Sequence, residues 1–118
     1  MNTTIETKHG DFWRIRPEAR QGPAPAGRAD LLIFGDIGDD PLAPESTSAR
    51  GLVDSLAALP DETSELTVRI NSYGGSVADG LAIYNALRRH PASVTVTIEG
   101  VAVSIASLVA MAGDRIEI

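Results

Sequence analysis

Two adjacent glycines, Gly74 and Gly75, stand between a β-branched run and a segment with helical periodicity. Glycine admits backbone conformations that are closed to other residues and lets a ligand approach bare amide N–H groups. Those amides would lie beside a helix N-terminus, where the dipole favours negative charge. Such a corner suits a developing oxyanion. The simpler interpretation is a tight turn in which Ser76 caps the helix.

A second strand-to-helix corner follows at residues 99–107, where Ser104 opens a segment of small residues. A hydroxyl at a helix N-terminus gains electrostatic help if it becomes an attacking alkoxide, and the amides after it can share in anion binding. The pattern is not the G-x-S-x-G nucleophile elbow, because Ala106 replaces the second glycine. The simpler interpretation is that Ser104 caps the helix and that Ser107 is a small packing residue.

The elements that must position these corners alternate along the chain. Apolar and β-branched runs predict strands, and apolar residues at helical spacing predict helices. The predicted strands are Leu31–Ile37, Leu66–Ile70, Val94–Ile98 and Arg115–Ile118, and the predicted helices are Ser46–Leu59, Val77–Arg89 and Ser104–Ala112. This order predicts an α/β fold in which parallel strands are joined by crossover helices.

Local signals add detail to these elements. Ser46 or Thr47 is expected to cap the first helix, residues 100–103 to form a turn, and Gly80 to accept alanine unless close packing forbids the methyl. Residues 1–29 are expected to form a flexible arm, in which Phe12, Trp13 and Ile15 could dock as a short strand. Apolar residues recur at helical spacing in the first helix at Leu52, Val53, Leu56 and Leu59. The expected core positions of the second helix are Leu81, Ile83, Tyr84 and Leu87.

Composition excludes several functional classes. The 118 residues are 43% hydrophobic and 22% charged, so a packed core is expected. The net charge of −6 argues against nucleic acid and anionic membranes as partners. The absence of cysteine excludes disulfides, thiolate metal sites and a cysteine nucleophile, and no metal or cofactor is expected. The longest nearly apolar run, residues 100–113, is too short to span a bilayer. A cytoplasmic location fits these features.

The two corners together resemble the proteolytic subunit of Clp protease. The resemblance rests on Ile70–Val77, Gly80–Tyr84, Gly100–Ser104 and Ala112–Gly113. It covers roughly residues 31–118 and is closest to the head maturation proteases of phages and prophages. It implies the ClpP/crotonase-like α/β fold of repeated strand-strand-helix units, incomplete at the C-terminus. Residues 30–118 would then be the N-terminal part of a peptidase domain.

The resemblance also assigns the site. Ser104 matches the family nucleophile, and the backbone N–H groups of Gly75 and Ile105 match the oxyanion hole. The stretch Gly74, Ser76 and Val77 matches the edge that pairs with an extended substrate peptide. Two positions depart from the family pattern, since Tyr73 stands where proline is commonest and Val103 replaces an alanine. The implied partners are a polypeptide substrate and further copies of the chain in a ring, with phage capsid or scaffold proteins as candidates.

The other triad members have no match in the chain. The family histidine follows the position of Ile118 and the aspartate lies further on, so the 118 residues alone are expected to be inactive. His9 and His90 are expected to be solvated surface residues. The carboxylates Asp79, Glu99 and Asp114 are expected to be surface or capping charges.

Three other functions are weighed against the peptidase. One is an inactive structural prophage remnant that keeps the fold. Another is a crotonase-type acyl-CoA enzyme, which shares the fold and the paired amides, although Ser104 and the Asn71–Gly75 signature favour the peptidase. A third is signal peptide peptidase A, which needs a lysine base and a membrane anchor. The only lysine among the 118 residues is Lys8, and no anchor is expected.

Overall fold

The computed structural model describes residues 5–6, 14–17, 27–39, 42 and 46–118. Its strands are β1 (Ile5–Glu6), β2 (Arg14–Pro17), β3 (Arg28–Phe34), β4 (Glu65–Ser72), β5 (Ser93–Ala102) and β6 (Arg115–Glu117). Its helices are α1 (Ala49–Ala57), α2 (Val77–Arg89) and α3 (Ile105–Ala110). Ile15 lies in a strand, as suggested for a docked segment, whereas Phe12, Trp13 and His9 lie outside the described residues. The division at residue 29 stays a prediction.

The six strands form one mixed sheet in the order β1-β2-β3-β4-β5-β6. The pairs β1·β2 and β2·β3 are antiparallel, and the pairs from β3 to β6 are parallel. Each parallel strand lies one position beyond the previous one, so right-handed crossovers place α1, α2 and α3 on the same face. The predicted α/β fold with parallel strands and crossover helices is confirmed.

The core lies between that face of the sheet and the helices. Alternate residues of β4 point into it, because successive side chains of a strand face opposite sides. The fully buried large side chains are Leu31, Ile33, Leu52, Leu66, Val68, Ile70, Ile83, Leu87, Val94 and Val96. Leu81 was wrongly expected there, since it is 46% exposed, and Val53 of α1 is also 40% exposed. Tyr84 is only half-buried at the margin of the core.

The first helix begins later than predicted. Ser48 caps α1, and its hydroxyl accepts a hydrogen bond from Gly51 N–H at 3.2 Å. Thr47, one of the two expected caps, is instead extended and buried, because its N–H donates to Asp36 O and its carbonyl accepts from Gly38 N–H, both at 2.7 Å. A long-range backbone contact therefore overrides the local capping signal of Ser46 and Thr47.

Two strands also differ from their predicted bounds. The first core strand ends at Phe34 rather than Ile37, because Gly35 turns the chain with a φ of +83°. The expected turn at residues 100–103 is wrong, since β5 runs on to Ala102 through an irregularity in its pairing with β4. Helix α2 has the predicted bounds of Val77 and Arg89.

Among the described residues, no helix is long and apolar enough to cross a membrane. The longest, α2, has 13 residues, whereas about 20 are needed to span a bilayer.

Helix α2 packs closely on α3 through a glycine. A Cβ built on Gly80 would overlap Cγ1 of Ile105, and Ile105 is the residue directly after Ser104. The close packing that would forbid alanine at this position is therefore present. Gly80 lets the second helix approach the start of the third.

Replacing Gly80 by alanine is expected to lower the free energy of unfolding by about 1–3 kcal/mol, the usual cost of overpacking a core. Helix propensity acts in the opposite direction and would stabilise the variant by roughly 1 kcal/mol. Urea unfolding of the parent and the variant measures the difference. The matched control is the same substitution in an Ile105→Ala background, where the methyl has room and should no longer destabilise. An equal change in stability on Gly80→Ala in the parent and in the Ile105→Ala background would contradict this packing argument.

Candidate active site

The glycine corner is held by backbone pairing with Ile37. Ile37 N–H donates to Gly74 O at 2.9 Å, and Ser76 N–H donates to Ile37 O at 2.7 Å. Gly74 and Gly75 have φ angles of +105° and +146°, which L side chains rarely adopt. A Cβ on Gly75 would also overlap the carbonyl oxygen of Ile37. Both glycines are therefore required by conformation and by space.

The hydroxyl of Ser76 has a structural partner. It accepts a hydrogen bond from Asp79 N–H at 3.2 Å as the N-cap of α2, and it donates to Asp79 Oδ1 at 3.3 Å. The second carboxylate oxygen of Asp79 accepts from Ala49 N–H at 3.2 Å and so links α2 to the start of α1. The interpretation of Ser76 as a helix cap is correct.

Ser104 has an unusual backbone conformation. Its φ is +56° and its ψ is −131°, and it is the one non-glycine residue with positive φ in the described part of the chain. Conformations of this kind cost of order 1–3 kcal/mol and persist where the surroundings impose them, often at active sites. The nucleophile elbow of hydrolases presents its serine on such a strained strand-to-helix turn.

The side chain of Ser104 is exposed and makes no capping hydrogen bond to α3, although the residue occupies the N-cap position. The capping interpretation of this serine is therefore wrong. Ser107 was expected to pack inside the protein, but it is exposed, and its hydroxyl donates to Ser104 O at 2.5 Å. The second serine thus supports the backbone of the first.

The two corners contact each other through Gly74. A Cβ on Gly74 would lie 2.8 Å from Ser104 Cβ, 2.9 Å from Val103 O and 3.3 Å from Ile105 N. This close approach follows from the topology, because the carboxyl ends of adjacent parallel strands meet at one edge of the sheet. The sequence-predicted nucleophile and the glycine doublet are brought together.

Within residues 27–39 and 46–118, the amides of Gly75, Ser104 and Ile105 have no hydrogen-bond acceptor. By contrast, Gly74 N–H donates to the Ser72 hydroxyl and Gly74 O accepts from Ile37 N–H. Both backbone groups of Ser76 are also used, since its carbonyl accepts from Gly80 N–H. An anion near Ser104 would therefore find free backbone donors at both predicted positions.

A cleft of about 540 Å³ runs along the glycine corner. It is lined by Asp36, Ile37, Gly38, Asp39, Ser46, Tyr73, Gly74, Gly75 and Ser76. Val77, the last residue of the predicted substrate-binding edge, begins α2 and is 65% exposed. The cleft therefore borders both glycines of the corner.

Comparison with known proteins identifies the family. Residues 42–117 match the family model described as Clp protease. The chain belongs to the Clp protease family. It is 34% identical over 86 residues to the ATP-dependent Clp protease proteolytic subunit of Pleurastrum terricola, and 34% identical over 87 residues to that of Ligilactobacillus salivarius. These matches cover 71% and 72% of the chain.

The fold agrees with this assignment. The structure matches a mutant of ClpP1 from Listeria monocytogenes with a TM-score of 0.59 and 26% sequence identity, over 71% of the chain and 46% of that structure. The chain spans 40% and 41% of the lengths of the two curated relatives named above. Both corners lie within residues 42–117, the part of the chain that matches the family model.

No described histidine or carboxylate lies in position to activate Ser104. His90 precedes β5 and Ser104 follows it, so the two lie at opposite edges of the sheet, roughly 30 Å apart for a ten-residue strand. Asp114 accepts a hydrogen bond from Val94 N–H at 2.8 Å. Glu99 forms an ion pair with Arg69 at 3.0 Å. As expected, the carboxylates of Asp79, Glu99 and Asp114 form capping or surface contacts rather than contacts with Ser104.

Arg69 joins three strands on the sheet face opposite the helices. Burial opposes its charge, but hydrogen bonds and charge attraction from Glu99 and Asp30 raise the pKa of its guanidinium. The described residues contain no cluster of three or more histidine and acidic side chains that could hold a metal ion.

Sequence reasoning missed three contributors to this geometry: Ile37, Asn71 and Ser72. Ile37 was expected to be an ordinary strand residue, whereas it pairs with the glycine corner. Asn71 and Ser72 were quoted only as parts of a motif. Asn71 bonds Val101, which lies far along the chain, and Ser72 bonds Gly74 only once the turn has formed. The one signal in the sequence was the position of both residues between a predicted strand and the glycines.

His90 is half-buried rather than solvated as expected. Its Nδ1 accepts a hydrogen bond from Ala92 N–H at 3.1 Å, and burial lowers the pKa of the imidazole. An acceptor nitrogen carries no proton, so protonation at this atom breaks the hydrogen bond.

The strained backbone at Ser104 predicts that glycine is more favourable than alanine at this position, the reverse of their order inside a helix. Ser104→Gly is expected to be more stable than Ser104→Ala by roughly 1 kcal/mol, because glycine adopts positive φ without the Cβ penalty. The matched control is Ser107, inside α3, where glycine should be less stable than alanine by about 1 kcal/mol. Urea unfolding of the four variants gives both differences. Equal stability of the two Ser104 variants would contradict the strained conformation.

The lowered pKa of His90 predicts a pH-dependent stability. The folded pKa lies below the unfolded value of about 6.5, so the unfolded state binds more protons between the two values. The contribution of neutral His90 to the free energy of unfolding is therefore fully present above about pH 6.5. It is lost as the pH falls through the pKa of the folded state. His90→Asn, whose amide oxygen can accept the same hydrogen bond, should unfold with a weaker pH dependence from about pH 7 to 5.5. Identical slopes for parent and variant would exclude this linkage.

Proposed function

We propose that the chain provides the nucleophile and the oxyanion hole of a Clp-type serine endopeptidase subunit. Ser104 is the nucleophile, and the N–H groups of Gly75 and Ile105 stabilise the oxyanion. The observation that carries the proposal is the exposed, strained Ser104, whose side chain makes no cap, directly beside two amides without acceptors in the described structure. These are the parts that acyl transfer requires.

The reaction follows from this arrangement. Ser104 Oγ attacks the carbonyl carbon of a peptide bond, and the carbonyl oxygen becomes negatively charged in the tetrahedral intermediate. The amides of Gly75 and Ile105 donate hydrogen bonds to that oxygen. Because they are held in place before the reaction, they need no reorganisation as the charge develops. The amine leaves after protonation, and water then hydrolyses the ester on Ser104.

The proton of Ser104 needs a base that the described residues do not provide. His90 lies at the other edge of the sheet and accepts a hydrogen bond from Ala92 N–H instead. We therefore propose that residues 1–118 alone are inactive and that a histidine from elsewhere completes the triad. An unassisted serine hydroxyl is a poor nucleophile at neutral pH.

The finer assignment follows the resemblance of the motifs at Asn71–Val77 and Gly100–Ser104. We propose a head maturation protease of phage type, which acts in the cytoplasm as a ring of copies on capsid or scaffold polypeptides. The strained serine supports a peptidase over a crotonase-type acyl-CoA enzyme, because nucleophilic catalysis needs a presented hydroxyl. Incubation of the assembled protease with capsid and scaffold proteins, followed by mass spectrometry of the products, tests the choice of substrate.

The activity is tested by supplying the missing base. The chain alone is expected to release no product from small fluorogenic peptides. A fusion in which the later part of the Ligilactobacillus salivarius subunit follows residue 118 is expected to turn them over. Ser104→Ala in the fusion should lower kcat by roughly 10⁶-fold, as loss of the nucleophile does in a serine triad.

Ser64→Ala in the same fusion is the matched control and should keep most of the activity, since its hydroxyl bonds Gly27 O at the end of β4 away from Ser104. Turnover by the chain alone that Ser104→Ala abolishes would contradict the missing base. A cooperatively folded fusion whose turnover survives Ser104→Ala would contradict the nucleophile.

A further inference from the structure

Strand β5 departs from its regular pairing with β4 just before Ser104. Ile70 pairs with Ile98, but the next pair is Ser72 with Ala102. One residue of β4 therefore lies opposite three residues of β5, which contains two extra residues at this point. Extra residues in a strand lose ladder partners and redirect the chain that follows. The placement of Ser104 depends on how this bulge, residues 99–101, is held.

Asn71 is the single residue opposite the bulge, and its side chain holds it. The amide oxygen of Asn71 accepts a hydrogen bond from Val101 N–H at 3.2 Å. A Cβ on Gly100 would lie 2.5 Å from that oxygen, so only glycine leaves the space for this approach. The side chain thus replaces a backbone partner that the ladder cannot supply.

Ser72 connects the bulge to the glycine corner. Its hydroxyl accepts a hydrogen bond from Gly74 N–H at 3.1 Å, and its carbonyl accepts from Val103 N–H at 3.0 Å. The residue is only 1% exposed, so neither bond competes freely with water. One bond orients the peptide before Gly75, and the other fixes the residue before Ser104.

We propose that Asn71 and Ser72 form a positioning pair, which sets the separation between Ser104 and the amide of Gly75. They act through the backbone of the two corners rather than on the reacting atoms. The inference rests on the proposed function, because the separation matters for catalysis only if Ser104 attacks a carbonyl whose oxygen Gly75 stabilises. Displacement of reacting groups by about 1 Å can cost roughly 10²-fold in rate.

Asn71 offers a matched pair of substitutions. Asn71→Asp keeps an oxygen acceptor at the same position, and Asn71→Leu removes it at similar size. Gly100→Ala should act like Asn71→Leu, since the methyl would displace the Asn71 side chain. Ser64→Ala is the control for loss of a hydroxyl, because Ser64 bonds Gly27 O just before β4 begins, at the opposite end of that strand.

Hydrogen–deuterium exchange of the 118-residue chain, followed by mass spectrometry, tests the geometry without any activity. Asn71→Leu is expected to speed exchange in residues 99–107 by about tenfold, and Ser72→Ala to do the same in residues 73–76, because each substitution removes one side-chain hydrogen bond. Exchange in β3 should stay at the parent rate, and Asn71→Asp and Ser64→Ala should resemble the parent throughout. Unchanged exchange at residues 99–107 in Asn71→Leu, an equal rise in Asn71→Asp, or a uniform rise in every strand would each overturn the positioning role.

The catalytic consequence is measured in the active fusion. Asn71→Leu is expected to lower kcat by about 10- to 100-fold at unchanged KM, and Asn71→Asp to recover most of it. If Ser104→Ala leaves turnover intact, the proposed function fails, while the exchange result for Asn71 stands by itself. If Ser104 is essential but Asn71→Leu has the parent kcat, the positioning pair is wrong and the proposed function stands.

Discussion

The geometry of the site depends on the backbone pairing between Ile37 and the glycine corner. Two hydrogen bonds, from Ile37 N–H to Gly74 O and from Ser76 N–H to Ile37 O, hold the corner against the segment after β3. The pairing brings Ile37 so close to Gly75 that no Cβ fits. The same pairing leaves the N–H of Gly75 without an acceptor in the described residues. An alanine at Gly75 would therefore disturb the fold of the corner as well as any oxyanion contact, and it cannot separate the two roles.

The strained backbone of Ser104 is stabilised by contacts on both sides. Val103 N–H donates to Ser72 O before it, and the N–H and hydroxyl of Ser107 both donate to Ser104 O after it. The next residue, Ile105, packs against the notch left by Gly80 in α2. A residue in a sparsely populated conformation persists only when its surroundings over-determine it. Strand β4 through Ser72, helix α2 through Gly80, and the side chain of Ser107 each supply part of that constraint.

Sequence patterns predicted the features that depend on local signals. Helix α2 has a strong cap at Ser76 and ends just before Pro91, so its bounds agree with the pattern. Failures occurred where a partner distant in sequence decides the conformation. Thr47 pairs with the segment around Ile37 instead of capping a helix, and the bulge of β5 needs Asn71 of the neighbouring strand. No periodicity within a single segment contains that information.

The candidate site follows the same division. The two glycines and Ser104 were predictable, because their residue types limit what the backbone can do. Ile37, Asn71 and Ser72 were not predicted as site residues, since each acts through a hydrogen bond that exists only after the strands have paired. The half-buried state of His90 was missed for a similar reason, because burial of a chain segment after a helix depends on what packs against it.

The conformation of Ser104 also bears on the choice between an enzyme and an inactive remnant. Strain of about 1–3 kcal/mol is a large part of the net stability of a small domain. A chain kept only for its fold would gain stability from any substitution that relaxes this turn, and most such substitutions would be tolerated. The strained serine lies beside amides without acceptors in the described structure, an arrangement that the proposed function would use. Amides held in place before the reaction stabilise the transition state without further reorganisation. The physical cost of the turn therefore supports the proposal that Ser104 has more than a structural role.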